Sequence, residues 1–173
     1  MICDVWKFNG VKTVSVWVPS NTYGEMNPIT QVYCLCFNHE GNILVVRKQA
    51  NTNEIKSWNL PGGTPEVGEI PEDTLKRELI EEADVTLSKF GMLGAFEVFA
   101  PENSNNNGSE HFYQLRYAGS IKDINPQTPD PDDGKTFERL FIKPNEFTSY
   151  IKWGELSDVL LTSALDWYKD HKV

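Results

Sequence analysis

Apolar positions along the chain first recur with the two-residue period of strands. The Val- and Trp-rich runs Asp4 to Phe8 and Val11 to Val18 flank Asn9-Gly10, a pair that accepts a type I′ turn, and predict an N-terminal β-hairpin ended by Pro19. Beyond a polar loop from Ser20 to Pro28, Ile29 to Phe37 and Ile43 to Lys48 predict two core strands joined around Gly41-Asn42. Leu93 to Ala100 and His111 to Ser120 predict two more, connected by the Asn-rich segment Glu102 to Glu110. Phe137 to Ile142 predicts a short last strand. The period changes to helical at Pro71, which suits a first helical position. Glu72 and Asp73 complement the positive end of the helix dipole, and Leu75, Leu79, Ile80 and Ala83 supply an apolar side, so a helix is expected over 71–83. A second helix is expected where Leu156, Val159, Leu160, Ser163, Ala164 and Trp167 recur at three and four. Between strands and helix, Trp58-Asn59-Leu60-Pro61-Gly62-Gly63 stops any regular element and reads as a shaped loop. Strands flanked by two separated helices predict an α+β protein, a mixed sheet covered by helices as an α/β/α sandwich.

Length and composition narrow the class. The 173 residues suffice for one domain with a core, and 39% hydrophobic with 24% charged residues is the balance of a globular chain, not a disordered one. Sixteen Lys and Arg against twenty-five Asp and Glu leave a net charge of −9, which repels a phosphate backbone and argues against general nucleic-acid binding. No run approaches the roughly 18 apolar residues of a membrane span, and the N-terminus lacks a basic stretch followed by an apolar one, so a cytoplasmic protein that does not enter membranes is expected. Cys34 and Cys36 fall two apart in a strand-like run. They read as small reduced hydrophobes, since nothing supplies further zinc ligands at a sensible spacing.

Chemistry concentrates on the first helix. Glu78, Glu81 and Glu82 sit at i, i+3 and i+4 and crowd three carboxylates within about one turn. Acidic helix faces are often only solvated surfaces. Here, however, the Gly-rich stretch Gly62-Gly63-Thr64-Pro65-Glu66-Val67-Gly68 precedes the helix and delivers a fourth carboxylate, Glu69. Hard divalent cations such as Mg²⁺ take oxygen ligands and bridge carboxylates to substrate phosphates, and a bound cation would relieve the repulsion. Arg77 is the natural internal counter-ion to Glu69 or a neighbouring Glu.

The run from Gly63 through Glu69 to Arg77-Glu78-Leu79-Ile80-Glu81-Glu82-Ala83-Asp84-Val85 resembles the Nudix box, G-x5-E-x7-R-E-U-x-E-E-x-G-U, with Asp84 in place of the last Gly. A match at so many spaced positions is far more specific than a lone G-x-G-x-x-G. Asp84 stands where Gly usually takes the left-handed conformation that closes a helix, so a cost of about 1 kcal/mol is expected there with no change in chemistry.

The resemblance implies a Nudix fold over residues 29–173, with residues 1–28 as an added hairpin and loop within a single structural domain. It implies a pyrophosphohydrolase cleaving a pyrophosphate bond in a nucleoside diphosphate linked to another moiety, with Mg²⁺ or Mn²⁺ as cofactor. Residue by residue, Glu78, Glu81 and Glu82 become metal ligands, Glu82 the principal one, with the Gly63 carbonyl completing the coordination. Glu69, paired with Arg77, becomes an outer or water-mediated ligand. The general base varies across the family: Glu138 occupies a fitting place, Glu81 or Glu82 are alternatives, and Asp130, Asp132 and Asp133 are weaker ones. Arg47, Trp58, Phe99 and Tyr113 are candidates to contact phosphate or stack on a base, although an aromatic on a strand more often serves the core. Pro101 hints at the ADP-ribose subgroup, which puts ADP-ribose or a nucleotide sugar slightly ahead of a (deoxy)nucleoside triphosphate. Nudix modules that only sense a nucleotide usually lose box glutamates, and this chain keeps all four. The hairpin, through Trp6 and Trp17, offers a surface for a homodimer or a cover for its own core.

Overall fold

The computed structural model describes residues 2–8, 11–48, 57–100, 110–131 and 134–171. Their elements, in order, are β1 (Cys3–Phe8), β2 (Val11–Pro19), β3 (Ile29–Phe37), β4 (Ile43–Lys48), β5 (Gly62–Gly63), α1 (Pro71–Ala83), β6 (Val85–Phe99), β7 (His111–Ile124), β8 (Phe137–Ile142), a 3₁₀ turn (Pro144–Glu146), α2 (Phe147–Tyr150) and α3 (Glu155–His171). The strands form one eight-stranded mixed sheet in the order β1-β2-β6-β7-β3-β4-β8, with the two-residue β5 attached to β3 and a parallel pairing between β3 and β7. The expected turn at Asn9-Gly10 and the side chain of Trp6 lie outside the described residues, but the register Phe8 to Val11 leaves two residues for that turn.

Strand alternation sends successive side chains to opposite faces, and here both faces are covered. Val32, Cys34, Cys36, Leu44 and Val46 pack with Leu75, Leu79 and Ala83 of α1. Leu35, Phe37, Ile43 and Val45 pack on the other side with Leu156, Leu160 and Ala164 of α3. Two cores with a sheet between them make the α/β/α sandwich. Cys34 and Cys36 are free and buried. β2 joins the sheet through β6, and Trp17 is turned inward, edge-on to Phe96 at 5.7 Å, so the inner hairpin strand covers its own chain's core.

Three local expectations change. Ile80, read as part of the apolar side of α1, is 44% exposed, because Leu75, Leu79 and Ala83 already fill the stripe that meets the sheet. β6 and β7 are longer than expected and form an antiparallel ribbon from Val85–Ile124 to Phe99–His111. The polar residues Ser88 and Lys89 hid its outer half from a hydrophobicity reading. Pro61-Gly62-Gly63 is not wholly irregular, since Gly62 and Gly63 pair with Tyr33 and Val32.

Asp84 closes α1 in the left-handed region (φ 50°, ψ 44°), its N–H reaching the Ile80 and Leu79 carbonyls. Its carboxylate accepts hydrogen bonds from Thr128 N at 2.6 Å and Thr128 Oγ1 at 3.0 Å, and Asn125 N donates to its carbonyl at 2.9 Å. The side chain that departs from the box thus ties the helix exit to the loop before β8, which offsets its backbone cost. Asp84→Gly is expected to lower stability by about 1 kcal/mol, because two hydrogen bonds to a carboxylate outweigh the relief of a left-handed residue. Denaturant unfolding checks this, and a more stable Gly variant would refute it.

Candidate active site

α1 starts at Pro71 behind an extended Ile70, and this brings Glu69 beside the first turn. The Glu69 carboxylate accepts from Glu66 N and Thr74 Oγ1 and is gripped by Arg77, whose Nε lies 2.9 Å from Oε1 and Nη2 3.1 Å from Oε2. Arg77 also donates from Nη1 to Glu78 and Glu81, each at 2.9 Å, and from Nη2 to the Thr64 carbonyl. One guanidinium therefore serves three carboxylates and a loop carbonyl, which a fork of five donors can do and a Lys ammonium cannot.

The hydrogen bonds from Arg77 hold the Glu69 carboxyl at about 2, below the usual carboxylate value of 4.5. A depressed folded-state value stabilises the protein above pH 4.5, and that contribution disappears as pH falls through about 2. Glu69→Gln is expected to flatten this part of the acid limb in melting curves taken from pH 5 downward; an unchanged limb would contradict the ion pair's role. Arg77 itself is raised, chiefly by its bonds to Glu69.

Glu82 and Glu78 face the Gly-rich loop. Gly62 N donates to Glu82 Oε2 at 2.9 Å. A side chain at Gly63 would run into Glu78, its Cβ 2.5 Å from Cδ, so this glycine leaves the space the carboxylate fills. Burial pushes the Glu82 carboxyl up to about 8 and also raises Glu78. A carboxyl in that state gains from a compensating cation, and the donor set is all oxygen, the chemistry Mg²⁺ or Mn²⁺ takes. Among the described residues no three His, Cys, Asp or Glu side chains are grouped closely enough to hold an ion as they stand, because Glu78 and Glu81 are turned to Arg77.

Glu82 lines a cavity of about 200 Å³ with Gly62, Lys48, Tyr33, Asn59 and Phe137. Tyr33 and Asn59 also line a second cavity of about 300 Å³ above the α3 face of the sheet, which reaches Arg116 and Trp153. A third, lined by Arg47, Trp58 and Tyr150, shares Ser57 with the first and Trp153 with the second. The three cavities thus adjoin one another through shared lining residues, the first of them beside the buried carboxylate.

The structure does not gather every expected residue there. Arg47 and Trp58 line the third cavity, where Arg47 stacks 4.5 Å over Trp58 and pairs with Glu138 at 2.5 Å. Glu138 follows Phe137, which belongs to the α1-side core, so it points to the opposite face of the sheet from Glu82. Phe99 is exposed and stacked on His111, while Tyr113 donates to Glu97 at 3.0 Å, and neither lines these cavities. Sequence reasoning passed over Lys48, Tyr33, Asn59 and Arg116. Asp130, 3.9 Å from Lys48, acts on Glu82 electrostatically; Asp132, Asp133 and Pro101 lie outside the described residues.

A buried Glu82 beside a Gly-rich loop on an α/β/α sandwich is an arrangement suited to a cation and a phosphate anhydride. The NUDIX domain family model matches residues 28–168, and the chain belongs to the Nudix family. It is a Nudix pyrophosphohydrolase, and enzymes of this family generally use divalent metal ions. It is 29% identical over 152 residues to an RNA pyrophosphohydrolase of Bartonella clarridgeiae, covering 79% of this chain and 80% of that one. It is 32% identical over 65 residues to the 8-oxo-dGTP diphosphatase of Escherichia coli (strain K12), a match spanning 38% of this chain and half of the relative. Its fold is similar to that of a Bacillus subtilis pyrophosphohydrolase, BsRppH, with a TM-score of 0.68 at 15% identity, covering 95% of this chain and 97% of the other. No helix among the described residues is long and apolar enough to cross a membrane.

Proposed function

We propose that Glu78, Glu81 and Glu82, with the Gly63 carbonyl, hold Mg²⁺ or Mn²⁺, and that the substrate is a nucleotide whose pyrophosphate lies along the groove beside Lys48. The placement of Glu78 and Glu82 against the Gly62-Gly63 loop carries this reading. When bound, the metal would draw charge from the phosphate oxygens and lower the pKa of a water. Arg77 holds Glu69, Glu78 and Glu81 in register, and Lys48 offers a cation to the phosphates. Of the three candidates for proton acceptor, Glu81 and Glu82 stand on the box helix, whereas Glu138 points to the opposite face of the sheet from Glu82, so the role falls to the first two. Arg47 and Trp58 border the outer groove and suit a distal phosphate or sugar.

For the substrate, the names of the relatives favour a nucleoside triphosphate or a triphosphorylated RNA end over ADP-ribose or a nucleotide sugar. The net charge of −9 disfavours an extended interface with the backbone of a long RNA. Phosphate and nucleotide release from a panel of ADP-ribose, nucleotide sugars, dinucleoside polyphosphates, canonical and oxidised triphosphates and 5′-triphosphorylated or capped RNA, with Mg²⁺ or Mn²⁺ and with EDTA, tests this. Metal-dependent cleavage of a triphosphate substrate is expected. Cleavage of ADP-ribose alone would transfer the chain to the other substrate class, and silence from folded, metal-binding protein would point to a nucleotide-binding module or a substrate outside the panel. Homodimerisation through the hairpin is read by static light scattering, where a clean 19.7 kDa species at micromolar concentration rules it out.

A further inference from the structure

The cavity above the α3 face has an unusual floor. Arg116 is only 2% exposed, and its guanidinium lies 4.2 Å over the Phe96 ring, with Tyr33 and Trp153 at 5.0 and 5.1 Å. Nη1 donates to the Leu115 carbonyl and Nη2 to Gln114 Oε1, while Nε has no hydrogen-bond partner. Among the described residues no carboxylate pairs with it. A guanidinium has five N–H groups and accepts nothing, so three remain to be matched, and a buried cation without a counter-ion is costly unless a ligand supplies acceptors. Burial pulls its pKa down to about 9, which still leaves it charged at neutral pH.

Two residues that line the same cavity, Asp4 and Ser15, come from outside the residues matched by the family. Asp4 of β1 lines it, with Oδ1 accepting from Val5 N at 2.8 Å. Oδ2 lies against Gly154, where a Cβ would come within 2.8 Å of it, so the carboxylate is placed beside Trp153. Lys152 also lines the cavity, but a phosphate there would meet the Asp4 carboxylate and three aromatic rings as well. A flat heterocycle with acceptors on one edge and donors on another meets matching groups. Among the nucleobases, guanine offers the O6 and N7 acceptors that an Arg reads and, on another edge, adjacent N1–H and N2–H donors for a carboxylate. Adenine places a donor beside N7 and lacks the donor pair.

We propose that this cavity takes the guanine ring of the substrate, with Arg116 on its O6/N7 edge and Asp4, from the N-terminal hairpin, on its N1–H and N2–H₂ edge. The proposal rests on reading the groove as a nucleotide site and makes the hairpin a specificity element. Isothermal titration of the full chain with GMP, IMP and AMP in EDTA tests it without turnover. GMP is expected to bind about tenfold or more tighter than AMP, with IMP, which keeps O6 and N1–H but lacks the 2-amino group, between them. Asp4→Asn is expected to weaken GMP more than IMP and so to shrink the gap between them. A merely structural role for Asp4 would weaken both equally. AMP binding as tightly as GMP, an unchanged GMP-to-IMP ratio in Asp4→Asn, or no binding of any of the three at millimolar concentration overturns it. Equal cleavage of guanine and adenine substrates would sink this inference and leave the hydrolase reading standing. Selective GMP binding with no substrate cleaved would do the reverse.

Discussion

Glu82→Gln is expected to lose about a thousandfold in metal-dependent kcat/KM if Glu82 holds the cation as proposed, since a ligand to a catalytic cation is worth several kcal/mol in the transition state. The fold should survive. Glu82 accepts the Gly62 N–H, a bond that a Gln carbonyl oxygen can also accept, and burial already favours the neutral carboxyl when no cation is bound. Melting temperatures in EDTA should therefore coincide, while the rise that Mg²⁺ or Mn²⁺ gives the unaltered protein should shrink or vanish. A variant retaining more than about a tenth of the activity would remove Glu82 from the metal site.

Arg77→Met is expected to cost about 3 kcal/mol, within the range for removing one partner from a largely buried ionic cluster. For a chain of this length that lowers the melting temperature by about 6–12 °C. The cost arises because Glu69, Glu78 and Glu81 would lose the cation they share. Arg77→Lys should recover less than half, because one ammonium cannot reproduce the fork that reaches Glu69 twice while holding Glu78 and Glu81. A loss under about 2 °C for the Met variant would show that the cluster is solvated and that Arg77 does not organise it.

The legible and illegible residues divide along a physical line. The helix over 71–83, the strands at 29–37, 43–48 and 137–142, and the crowding of Glu69, Arg77, Glu78 and Glu81 all follow from local period and spacing, and the structure has them at the same positions. Arg47 and Lys48 show what local information lacks. They are adjacent on β4 and therefore point to opposite faces, but nothing nearby in sequence says which face α1 covers. Lys48 lines the cavity with Glu82, and Arg47 turns toward Trp58 and Glu138. The same parity carries Glu138 away from Glu82, and Phe99 and Tyr113 to a cluster with His111 and Glu97.

Arg116 and Asp4 are the extreme case, 112 positions apart in number and drawn to one cavity by the pairing of β1 with β2, β2 with β6 and β6 with β7. No periodicity marks either residue, and an Arg in a strand that also carries Gln114, Lys122 and Asp123 reads as a surface position until Phe96, Tyr33 and Trp153 are seen around it. Asp84 is similar: its backbone conformation was predictable from the helix exit, but its bonds to Thr128 depend on a loop forty-four residues away. The sequence by itself determined the box helix, its carboxylates and the strands that carry them, because those depend on residues within a turn or two of one another. Only the tertiary structure decided which side chains share the groove with those carboxylates, because facing is set by strand order and by which helix covers which side of the sheet.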